Sequence, residues 1–169
     1  MRPDFNAVCY LWNDDGSLRD IYVQRLRLEH WVCFDSLIDS CNAEYAVDGI
    51  VTPYPGSAAI FANRKSRHLL SVLVGKVSIN CHFFVQSQLE LDISPCQILG
   101  ETEHDAVLDF VERLSLKLGC PVDITPENSE ENPILTYSPT AKSWHVHLDG
   151  EGYMNSLLQR DLNVRNVKL

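Results

Sequence analysis

No stretch of the sequence approaches the ~20 uninterrupted apolar residues that a membrane-spanning helix needs. The opening residues, Met1-Arg2-Pro3-Asp4-Phe5-Asn6, lack the apolar run that directs secretion. A cytoplasmic location, with no membrane as partner, is the resulting expectation. Paired cysteines are missing as well: Cys9, Cys33, Cys41, Cys81, Cys96 and Cys120 stand singly, never as C-x-x-C. A chain of 169 residues can bury a core without covalent staples, so these read as reduced, mostly buried thiols acting as small hydrophobes.

Glycine-rich phosphate loops are absent too. Neither G-x-G-x-x-G nor G-x-x-x-x-G-K-[ST] occurs, and no G-x-S-x-G marks a nucleophile. Nucleotide binding is therefore not expected, and no cofactor is. Cys81-His82 places adjacent side chains on opposite faces of a strand, where they cannot form a catalytic pair with each other.

Positive charge is scarce. Fourteen Lys and Arg face 23 Asp and Glu, for a net charge of −9 and a pI near 5.0. From Glu90 to Glu131 the only cations are Arg113 and Lys117, while the first half is nearly balanced and holds the basic cluster Arg64-Lys65-Ser66-Arg67. A field of that sign repels phosphate backbones, which argues against nucleic acid and anionic membranes and permits a basic protein partner.

What remains is an ordinary globular composition, 45% hydrophobic and 22% charged, consistent with one domain over residues 1–169. Phe5–Trp12 and Leu18–Gln24 flank Asn13-Asp14-Asp15-Gly16-Ser17 and read as a β-hairpin. Trp31, Phe34, Leu37, Ile38 and Cys41 recur at helical steps within Leu28–Cys41. Strand-like runs follow at Tyr45–Val51, Ser57–Asn63, Leu69–Val74, Val77–Val85 and Gln88–Ile93, the last alternating apolar and acidic residues. A second helix is expected over Glu103–Leu118: Thr102 can cap it, Val107, Phe110, Val111, Leu114 and Leu118 form one stripe, and Gly119 and Pro121 end it. Val122–Thr125, Ile134–Tyr137 and Ser143–Asp149 read as closing strands, and Tyr153, Met154, Leu157 and Leu158 suggest a short helix in the tail.

These elements predict an α+β fold: an antiparallel or mixed sheet with two amphipathic helices on one face. Leu18-Arg19-Asp20-Ile21 and Leu91-Asp92-Ile93 each precede a helix that leads to a strand ending at Thr-Pro. The chain can thus be divided into ββαββ halves, 1–85 and 86–150, with a tail at 151–169. Chance repetition of strand and turn vocabulary explains the match equally well.

Two places could carry chemistry. His145, His147 and Asp149 alternate with Trp144, Val146 and Leu148, so two imidazoles and a carboxylate share one strand face and could hold zinc with an open fourth position. The string superficially resembles the H-x-H-x-D of metallo-β-lactamase-like hydrolases, but Gly150 stands where that pattern continues with histidine, and nothing is carried over from the family. A strand that buries its apolar residues and wets the others accounts for the same string. The second place is the acidic segment Pro126–Pro133, where Glu127, Asn128, Glu130 and Glu131 could meet a basic partner, with Tyr54 between its two prolines as a further contact. It lacks the order of a calcium loop.

The reading favoured by charge is a non-catalytic acidic interaction domain, of the bacterial immunity or antitoxin type, that binds a basic protein. A small metal-dependent hydrolase using His145, His147 and Asp149 is the alternative, and a homodimer or structural subunit is a third reading.

Overall fold

The computed structural model describes residues 1–147 and Gly152. Among the described residues, β1 (Arg19–Gln24), β2 (Asn42–Val47), β3 (Ile50–Val51), β4 (His68–Val74), β5 (Val77–Cys81), β6 (Gln88–Ile93), β7 (Val122–Pro126), β8 (Leu135–Ser138) and β9 (Ser143–Val146) form one sheet. Every pairing is antiparallel, in the order β3-β2-β4-β5-β6-β1-β7-β8-β9. Helices α1 (Leu28–Ile38), α2 (Ser57–Ala62) and α3 (Glu101–Leu118) complete an α+β protein.

Strand alternation sets the core. Tyr45, Leu70, Cys81, Leu91, Ile21, Ile124 and Leu135 lie in one cross-strand row and are all buried. The Val107, Phe110, Val111, Leu114 and Leu118 stripe of α3 joins that core, as do Trp31, Phe34, Leu37 and Ile38 of α1. Each of these large side chains contributes about 1.5–3 kcal/mol by leaving water. Helix α3 contacts β4, β5, β7, β8 and α1. It begins at Glu101, one residue before the expected cap, and ends at Gly119, whose φ of 67° is open to glycine and costly for other residues.

Several expectations change. Asn6–Trp12 forms a 3-10 segment and not the first strand of a hairpin. Asp4 Oδ1 accepts the backbone N–H groups of Asn6 and Ala7 at 2.8 and 3.4 Å, which starts the turn, and Val8, Tyr10, Leu11 and Trp12 are buried without strand alternation. Ser57–Ala62 is helical, since the carboxylate of Asp35 on α1 receives the Ser57 N–H at 3.1 Å and its hydroxyl at 2.9 Å, capping the helix from another element. Tyr45–Val51 divides into β2 and β3 where Asp48 and Gly49 take positive φ. The thiols are all free, but only Cys81 is fully buried; Cys9 and Cys96 are exposed, and Cys33, Cys41 and Cys120 are half-buried.

Strands β1 and β6 pair side by side, yet the strands that follow α1 and α3 occupy different places. Three strands separate β1 from β2, and one separates β6 from β7. Residues 148–150 and the tail reading at Tyr153, Met154, Leu157 and Leu158 lie outside the described residues.

Candidate interaction face

Period-two alternation that buries Ile21, Leu91 and Ile124 sends their neighbours to the opposite face of the sheet. Two polar rows result. Ser71, Asn80, Asp92, Asp20 and Thr125 are register partners in one. Glu90, Tyr22, Asp123, Thr136 and His145 are register partners in the other. The outward positions of β4 to β9 and β1 hold no lysine or arginine.

The carboxylates are fixed by short bonds. Asp92 accepts from Asn80 Nδ2 at 2.9 Å and from His82 Nε2 at 2.8 Å, while Ser71 Oγ donates to Asn80 Oδ1 at 2.9 Å. The bond from His82 to Asp92 raises the imidazole pKa above 6.5, against an opposing pull from burial. Asp20 accepts from Tyr22 Oη at 3.0 Å and from the Asn128 N–H at 2.7 Å. Burial is the leading cause that pushes the carboxyl groups of Asp20 and Glu90 above their ordinary values, and their mutual repulsion adds to it for Glu90.

The acidic loop after β7 folds back over this face. Glu130 Oε2 accepts from Gln24 Nε2 at 3.1 Å and also from Gln88 Nε2, bridging β1 and β6. Glu127 Oε2 accepts the Leu18 N–H at 3.1 Å. Together with the bond from Asn128 to Asp20, these contacts leave Asp20, Tyr22 and Thr125 buried. Glu131 stays exposed and accepts from Asn132 Nδ2 at 3.0 Å. Tyr54 belongs to another part of the molecule: its hydroxyl donates to Asp35 Oδ1 at 2.7 Å and its ring packs 5.5 Å from Tyr45 and 6.3 Å from Phe83.

At the β9 edge, His145 and His147 are exposed with ring centroids 4.3 Å apart. Thr136 Oγ1 donates to Asp123 Oδ1 at 2.5 Å, so its bond to His147 Nε2 at 2.8 Å must be donated by the imidazole. Burial, and then the neighbouring His145, hold the His147 pKa below 6.5. Asp149 lies outside the described residues. Among the described residues, no group of three or more His, Cys, Asp or Glu side chains is placed to hold a metal ion.

Cys81 and His82 point to opposite faces, the thiol wholly buried and pushed well up by desolvation. Sequence reasoning missed the convergence of Asp20, Asp92, Glu90 and Asp123, because they are spread over three strands, β1, β6 and β7, remote along the chain. The acid-apolar alternation of Gln88–Ile93 was the one local signal of a wet face there. No helix among the described residues is long and apolar enough to cross a membrane. Comparisons of the chain with protein-family models, curated proteins and solved structures find no match.

Proposed function

We propose that this chain is a non-catalytic interaction domain whose acidic sheet face docks a basic protein, as a bacterial immunity or antitoxin protein would. The observation that carries the reading is the composition of that face. Glu90, Asp92 and Asp123 are half-buried there and Glu130 is exposed, with His82 hydrogen-bonded to Asp92 beside them. Carboxylates held at fixed positions lose little side-chain freedom when a cationic surface arrives, and their field accelerates encounter. The bonds that hold Glu127 and Glu130 within the fold make the acidic loop a shaped border of the face.

Affinity capture on the full chain, with the Glu90→Gln/Asp123→Asn/Glu130→Gln variant in parallel, tests the proposal. A basic protein retained at low salt, released at high salt and lost from a variant with unchanged circular dichroism is the expected result. A partner held equally by both proteins, or none at any salt, would overturn it.

A further inference from the structure

The basic cluster of the sequence meets the Cys81-His82 segment in space. Residues 64–68 lead into β4 and residues 82–84 leave its neighbour β5, so the β4-β5 pairing brings them together around a cavity of about 260 Å³. Arg64, Arg67, His82, Phe83 and Phe84 line it. A site of this size lies near the lower limit of small-ligand pockets, roughly 300 Å³.

The cationic groups are positioned before any ligand arrives. Arg64 donates through Nη1 to Phe83 O and through Nη2 to Phe84 O, both at 2.6 Å, and its Cζ lies 5.7 Å from the Phe61 ring centroid. Two of the five guanidinium N–H groups are thereby used. The Phe83 carbonyl reaches Arg64 from a residue at φ 56°, a conformation that a bulky side chain adopts at a cost. Arg67 gives its backbone N–H to Asp48 Oδ1 at 2.9 Å and its charge attracts that carboxylate, but among the described residues its guanidinium makes no hydrogen bond and no ion pair within 4.0 Å. His82 is anchored at Nε2 by Asp92 and its ring stacks on Phe84 at 5.3 Å, which leaves Nδ1 outside that bond. His68 is a fixed wall and not a ligand group, with both ring nitrogens engaged by Tyr45 Oη and Asn63 O at 2.6 Å.

We propose that this cavity binds a small organic oxyanion, a carboxylate or phosphomonoester on a flat ring, with the charge on Arg64 and Arg67 and the ring against the His82-Phe84 stack. Guanidinium forks match both oxyanions, and the flat imidazole-phenyl wall suits an aromatic body. The two readings share the His82–Asp92 pair but are tested by different residues, Glu90, Asp123 and Glu130 for the face and Arg67 for the cavity, so failure of one is distinguishable from failure of the other.

Calorimetric titration of the full chain with benzoate, phenyl phosphate and the uncharged benzyl alcohol tests the assignment. Saturable binding of benzoate or phenyl phosphate with a dissociation constant of about 1 mM or tighter is expected, weakened about tenfold in Arg67→Gln, with none for benzyl alcohol. The stronger of the two anions identifies the head group. Arg67 is exposed, so its replacement spares the fold, and His82→Asn supplies a second variant that also weakens binding. Absence of saturable binding by both anions, or binding that benzyl alcohol matches or Arg67→Gln leaves intact, would overturn the assignment.

Discussion

Replacing Arg19 probes how residues 6–18 are held against the sheet. Its side chain has 0% exposure. Nε donates to Leu11 O at 2.6 Å, Nη1 to Ser17 Oγ at 2.7 Å and to Leu18 O at 2.9 Å, and Nη2 to Asn13 O at 2.8 Å. Asp15 supplies the counter-charge at 3.4 Å. With the Ser17 carbonyl, which accepts from Nη1 at 3.4 Å, four carbonyls of residues 11–18 thus converge on one guanidinium. Arg19→Met keeps the apolar stem and removes every one of these bonds. Hydrogen bonds to a charged group are worth about 1.5–3 kcal/mol each. Their sum is offset in part because the buried cation's desolvation also disappears, and breaking a buried charged pair typically costs about 3–5 kcal/mol. A loss in that range is expected in urea denaturation, with the thermal midpoint falling by roughly 10 °C for a chain of this length. Arg19→Lys restores the charge without the fork and should recover only a minor part of the loss. A cost below about 1 kcal/mol in Arg19→Met would refute the reasoning.

Histidine titration by NMR should find His82 above 6.5 and His147 below it. A raised folded pKa means that the stability His82 provides is present below 6.5 and is lost as pH rises through its folded midpoint. Asp92→Asn should bring His82 back toward 6.5 and leave His147 in place; a His82 midpoint at or below 6.5 in the parent chain would contradict this. Asp35→Ala removes the acceptor of Tyr54 Oη, Ser57 Oγ and the Ser57 N–H, and should cost about 2–4 kcal/mol in denaturant unfolding, with α2 losing amide-exchange protection first. In the folded protein, thiol reagents should modify the exposed Cys9 and Cys96 quickly, while Cys81 reacts only on unfolding.

Where local signals agreed with tertiary demands, the fold was legible from residues alone. Helix α3 carries its stripe, its acidic first turn and its terminating glycine within one segment, and Gln88–Ile93 was read at the bounds that β6 occupies. The misreadings share one cause, which is dependence on distant partners. Asn6–Trp12 is as apolar as a strand, but Arg19 draws the Leu11 carbonyl out of any ladder, and α2 owes its cap to Asp35, 22 residues earlier. The candidate face was legible only in part. The acidic loop announced itself through Glu127, Glu130 and Glu131, whereas its docking onto Asp20, Gln24 and Gln88 depends on the β6-β1-β7 register.

Net charge alone would attract cations loosely from every side; the account requires that attraction to be concentrated on one face. The most direct measurement is the association rate between the full chain and a basic protein that it captures, followed at low and high salt for the parent and for Glu90→Gln/Asp123→Asn/Glu130→Gln. The account predicts a rate that falls steeply with salt in the parent and is slower and flatter in the variant, with dissociation changed less. Rates that ignore both salt and the three substitutions would contradict it.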